Sequence, residues 1–273
     1  MRVNIFPDVG QLLKSVPGSR IIAAVRNPAK AQDLAERGVV VREADYARPE
    51  TLARAFEGVE KLILISSSEV NGRLPLHRAV IDAAKQAGVS LLAYTSMLHA
   101  DSSTAQLAIE HRQTEEAIAA SVILRNGWYT ENHLYALPAA LEHGAFVGSA
   151  KYGRFSSAAR KDYAAAAAAV LTKGSHAGEI YELAADQAFT LAELAAEVSR
   201  QSGKPVVYND LPEQDYAKLL VDFGLPADLA ALLADADAAA SRGALFDDGG
   251  VLSTLIGRPS IPMKELVALA LRA

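Results

Sequence analysis

RIIAAVRNPAKAQDLAERGVVVREADYARPETLARAFEGVEKLILI, residues 20–65, decides the fold. Three short apolar, β-branched runs, Arg20–Val25, Val39–Val41 and Lys61–Ile65, alternate with two amphipathic stretches. Pro28 and Pro49 suit the first turn of those stretches, Leu34, Leu52 and Phe56 lie on their apolar faces, and Gly38 and Gly58 suit their ends. Continuous apolar runs joined by helices are the pattern of parallel strands buried on both faces, so the expected fold is α/β. The alternation continues downstream. Leu76, Val80, Ala83 and Ala87 keep helical spacing up to Gly88, Leu91–Thr95 is a strand, Leu107, His111, Thr114 and Ile118 share a helical stripe, and Ser121–Leu124 is a strand again. Linkers this short favour right-handed crossovers, hence a Rossmann-type, doubly wound parallel sheet.

Beyond Gly127 the pattern loosens into Tyr-, Pro- and Gly-containing segments. Expected there are an Ala164–Ala169 helix capped by Asp162, a strand at Ile180–Leu183, a helix opened by a Thr190–Glu193 capping box and closed by Gly203, and a strand at Val206–Tyr208. The expected division is a dinucleotide-binding domain over residues 1–126 and a smaller, tightly joined α/β substrate lobe over 127–273, with Val3, Ile5 and Phe6 in the first strand.

The 273 residues are 51% hydrophobic and 22% charged, with a net charge of −5 and no cysteine. That balance excludes disorder and thiolate chemistry, and leaves no basic footprint for nucleic acid or an anionic membrane. No apolar run approaches the ~18–20 residues of a membrane span, and the opening MRVNIFPDVGQLLKSV lacks a secretory core, so the cytoplasm is the expected compartment. The six histidines show no metal-ligand spacing, and neither GxSxG nor Tyr-x-x-x-Lys at Tyr94 occurs.

Ligands of doubly wound sheets bind beyond the carboxyl ends of the strands, and there the polar residues concentrate. Arg26, Asn27 and Lys30 put cations where an NAD-selective fold often has an acid, which suits a 2′-phosphate; the alternative is a solvated helix start. Asp45 and Tyr46 either meet an adenine edge or cap a turn. Ser66, Ser67 and Ser68 either admit a cofactor to the backbone or cap the next helix. Thr95 and Ser96 end the fifth strand. Asn126, Gly127, Trp128 and Tyr129 follow the sixth, with the only tryptophan of the chain, and form either a flat ligand wall or an anchor in the core.

VRNPAK (25–30), ADY (44–46), LISSSEV (64–70), AYTS (93–96), EHRQTE (110–115) and LRNGWYTEN (124–132) together resemble one family. With PAALEHG (138–144), YELA (181–184) and LFDD (245–248), they are similar to the NmrA-like atypical short-chain dehydrogenases, closest to the NADPH-dependent quinone reductase and triphenylmethane reductase branch. The resemblance implies NADPH bound beside Arg26, Lys30, the serine run and Asn126–Tyr129, with hydride passed directly to a quinone or similar planar acceptor. It implies His111, Tyr94 and Asn132 as the catalytic side chains, no metal, and a possible homodimer. His111 is otherwise a buried helix-face residue satisfied by its neighbours. Family members open with a glycine-rich phosphate loop, whereas this chain reads Ile5-Phe6-Pro7-Asp8-Val9-Gly10. Pro7 lacks a donor, Asp8 repels phosphate, and Phe6 and Val9 would crowd it, so weak NADPH binding is expected, or else a non-catalytic redox sensor or interaction module.

Overall fold

A computed structural model describes residues 2–4, 9–69, 72–118 and 121–273. The strands are β1 (Arg2–Asn4), β2 (Ile22–Val25), β3 (Val40–Glu43), β4 (Lys61–Ile65), β5 (Leu91–Met97), β6 (Val122–Asn126), β7 (Ala145–Gly148), β8 (Ile180–Leu183) and β9 (Val207–Asp210). Seven form one sheet in the order β3-β2-β1-β4-β5-β6-β8, and β7 pairs with β9 in a second. The pairings of β1 with β2 and β4, of β2 with β3 and of β4 with β5 are parallel. This is the doubly wound order, in which the chain reverses its direction of travel across the sheet at β1 and β4. Among the described residues no helix is long and apolar enough to cross a membrane.

By its contacts the chain sorts into two units, each drawn from three stretches. The first comprises 1–96, 110–125 and 163–181, the second 97–109, 126–162 and 182–273, and one crossing between them falls at 125–126. In the first unit Leu52, Phe56, Leu62, Leu64 and Tyr94 share one buried cluster. Burial of each such aliphatic or aromatic side chain is worth about 1.5–3 kcal/mol, which holds the helices Pro49–Ala55 and Arg73–Gln86 on the sheet. The latter helix stops before Gly88, whose φ of 70° a residue with a side chain rarely adopts. The second unit has its own core, in which Phe146, Phe155, Phe189, Leu194 and Val198 meet. There the Thr190–Glu193 capping box opens the helix Leu191–Ser202 as expected.

Asp162 does not cap. The helix begins at Arg160, so Asp162 lies inside its first turn. Its carboxylate is fully buried and accepts from Arg258 Nη2 at 2.6 Å and from the Ile261 amide at 2.8 Å. The residue therefore ties down the Arg258–Ile261 segment, a task its spacing along the chain does not announce.

Candidate active site

In the first unit the carboxyl end of β2 carries the two cations. Arg26 and Lys30 are exposed, and among the described residues neither has an ion-pair partner. Asn27 is committed: its Oδ1 accepts from the Ala29 amide at 3.0 Å and caps the short 3-10 helix Pro28–Ala31. Asp45 serves its turn, accepting from the Ala47 amide at 3.0 Å and pairing with Arg48. Tyr46 reaches across to the end of β4, where its hydroxyl donates to Ile65 O at 3.2 Å.

The serine run leaves β4 with its peptides held. Ser66 N–H donates to Thr95 Oγ1 at 2.9 Å, Ser67 N–H donates to His77 Nε2 at 2.9 Å, and Ser67 O accepts from Arg73 Nε at 2.7 Å. Ser68 is exposed. Ser96 donates to Glu115, which also takes Arg125 in a two-pronged pair at 3.0 and 2.7 Å. That ion pair is buried, so removal of either partner alone would cost about 3–5 kcal/mol.

Tyr94 and His111 meet inside this unit, with the hydroxyl 2.7 Å from Nδ1. Tyr94 is 0% and His111 4% exposed, which matches the alternative of a helix-face histidine satisfied by a neighbour. Burial raises the Tyr94 pKa and, with Arg73 and His77 nearby, lowers that of His111 well below the usual imidazole value. His77 is pushed down to about 3, first by burial and then by Arg73. Tyr94, His111 and His77 are neutral near pH 7, so the Tyr94–His111 pair can hold a ring or a hydrogen bond in place but carries no charge.

In the second unit Asn126, Gly127, Trp128 and Tyr129 are consecutive beyond β6. The Asn126 Oδ1 is a buried acceptor without a partner among the described residues, an open position that suits an N–H donor. Trp128 leans on the core of its unit. Asn132 Oδ1 accepts from Arg160 Nη2 at 2.8 Å, and the Arg160 guanidinium lies 5.0 Å over the Tyr129 ring and 5.8 Å over that of Tyr135. The Arg160 amide, at the head of its helix, donates to both oxygens of Glu131 at 3.0 and 3.2 Å.

Sequence reasoning missed Arg73, Glu110, Thr114, Arg160 and Glu131. Only the position of Arg73 and His77 just beyond the serine run could have marked them. Pro7 and Asp8, on which the expectation of weak binding leans, lie outside the described residues, as do Ile5 and Phe6. Val9 does not crowd a ligand: it is 4% exposed, a core side chain of the short helix Val9–Leu12.

A dinucleotide with a 2′-phosphate fits the first unit, whose two unpaired cations follow the end of β2 beside the strand-order switch. Residues 9–174 match the family described as NAD(P)H-binding. Quinone oxidoreductase 2 of Escherichia coli (strain K12) is 55% identical over 264 residues, spanning 95% of this chain and 92% of that protein. The crystal structure of an NADPH-dependent quinone oxidoreductase from E. coli in complex with NADPH superposes with a TM-score of 0.93 at 54% identity, covering 96% and 94% of the two chains. A triphenylmethane reductase from Citrobacter sp., complexed with NADP(H), follows at 0.90 and 39%, with the same coverage.

Proposed function

The chain belongs to the NAD(P)H-binding family, and from that premise we propose that it is an NADPH-dependent oxidoreductase that reduces quinones or similar planar conjugated acceptors. The observation that carries the reading is the 55% identity, over nearly the whole of both chains, to a quinone oxidoreductase. NADPH, when bound, supplies a hydride, which with one proton converts a quinone to a hydroquinone. Arg26 and Lys30 hold the 2′-phosphate by charge-assisted hydrogen bonds. Ser66–Ser68, Thr95 and Tyr46 give the first unit a fixed polar rim at the ends of β3, β4 and β5. Asn126 offers its unpartnered oxygen to a donor, and Trp128 and Tyr129 offer flat rings to a planar ligand. Tyr94, His111 and Asn132, each committed to a protein partner, support neighbouring groups in this proposal, and the final proton comes from solvent.

The high identity to a quinone oxidoreductase favours the enzyme over the alternative of a non-catalytic redox sensor. Cytoplasmic residence and pairing with a second copy of the chain belong to the same proposal. Titration of the purified chain with NADPH and NADH tests it. Saturable NADPH binding, tighter than that of NADH, is expected, and no binding of either would refute it.

A further inference from the structure

The hydrogen bonds around the serine run close on themselves. Arg73 Nε donates to Ser67 O at 2.7 Å, and Ser67 N–H donates to His77 Nε2 at 2.9 Å, so two side chains of one helix grip the peptide groups of a single residue. An amide N–H can only donate, so Nε2 is the bare nitrogen of His77 and its proton sits on Nδ1. Nδ1 is 3.0 Å from Thr114 Oγ1 and donates to it, which leaves the Thr114 hydroxyl to donate to Glu110 O at 2.8 Å. Glu110 closes the circuit, since its carboxylate accepts the Arg73 N–H at 2.9 Å. Every member lies in the first unit.

His77 and Thr114 are both 0% exposed and Arg73 is 5% exposed. Burying an imidazole and a guanidinium is costly, and a strand-end peptide could otherwise be satisfied by water. The circuit spends both on Ser67, which lies just past the end of β4 beside the strand-order switch, where sheets of this order bind their ligands. With Ser66 N–H held by Thr95 Oγ1, the backbone there is preset by three side chains. We propose that His77 and Arg73 are positioning residues that preset the Ser66–Ser68 backbone to receive the dinucleotide. This rests on the NADPH reading above. A loop fixed beforehand loses little freedom when the ligand arrives, so its gain appears in affinity rather than in the hydride step.

The test compares the parent with His77→Leu, His77→Gln and Thr114→Val by NADPH titration, by exchange of the Ser67 amide in the free protein, and by steady-state kinetics with benzoquinone. Leucine removes the acceptor for Ser67 N–H. It should speed exchange of that amide, weaken NADPH about tenfold and raise the KM for NADPH, with kcat held to within about twofold. Glutamine, whose Oε1 can stand where Nε2 stood, should restore affinity to within about threefold of the parent. Unchanged affinity in the leucine variant, equal losses in the leucine and glutamine variants, or a fall in kcat at constant KM would overturn the inference. Should the leucine variant not fold, Thr114→Val strands the Nδ1 proton and should weaken NADPH about threefold; unchanged affinity there overturns it equally. A parent that binds no NADPH refutes the functional reading itself and this inference with it. A parent that binds NADPH beside a leucine variant that binds as well refutes only the positioning role.

Discussion

Acidification from pH 7.5 to 5 is expected to remove at least roughly 3 kcal/mol of stability, the net of losses at three imidazoles and a smaller gain at one carboxyl. His77 and His111 are buried in the first unit, and His133 lies against the rings of Phe155 and Phe189 in the second, at 4.8 and 5.5 Å between centroids. Burial pushes His77 and His133 down to about 3 and His111 well below its ordinary value. The unfolded chain takes up these protons near pH 6.5 while the folded chain refuses them, so stability is whole above that pH and is lost as pH falls below it, down toward the folded values. His77 and His133 each cost about 2 kcal/mol over the interval, and His111 adds to the loss. Asp237 opposes them. Burial raises its carboxyl to about 6, so the folded state takes that proton first and regains about 1.4 kcal/mol. For a chain of this length the net loss lowers Tm by at least roughly 5 °C. Thermal denaturation followed by circular dichroism in half-unit pH steps at constant ionic strength measures it, and His133→Phe should flatten the slope. A Tm that stays level or rises between pH 7.5 and 5 would show that these imidazoles are not held neutral by the fold.

Arg26→Ala should erase the preference for NADPH over NADH, a loss of about 1.5–3 kcal/mol or ten- to a hundredfold in NADPH affinity, read by parallel titrations; a preference that survives assigns the 2′-phosphate elsewhere. Trp128→Ala should raise the KM for an aromatic quinone more than it lowers Tm. A fall of about 3–5 kcal/mol in stability with KM unchanged would instead make Trp128 a core anchor. Asp237→Asn keeps an acceptor for the Ser149 amide but removes a charge that burial disfavours. It should stabilise the protein at pH 7.5 by up to about 3 kcal/mol and by little at pH 4, where the folded parent carries the proton and the unfolded chain carries it nearly half the time. A gain that does not depend on pH would contradict the assignment.

The strands of the first unit could be read from the chain because a parallel strand buried on both faces is a continuous apolar run. Lys61–Ile65 matches its expected bounds to the residue. The capping box at Thr190 was equally legible, since both its partners are local. Asp162 misled because the carboxylate that takes the first amide of its helix comes from Glu131, a partner that only the fold brings near. β7 went unseen for a similar reason: Ala145–Gly148 is short, and it is defined by pairing with Val207–Asp210 far along the chain. At the candidate site the exposed cations announced themselves by charge alone. The circuit through Arg73, His77, Thr114 and Glu110 did not, because each link joins residues that are neighbours only after the helices settle on the sheet.

NADPH consumption by the purified protein, with benzoquinone as the varied acceptor, measures whether this chain uses NADPH to reduce a quinone. Turnover that saturates in both NADPH and quinone is expected, with a higher kcat/KM for NADPH than for NADH. NADPH consumption no faster than in the protein-free mixture, at saturating quinone and with the protein shown to be folded, would contradict it.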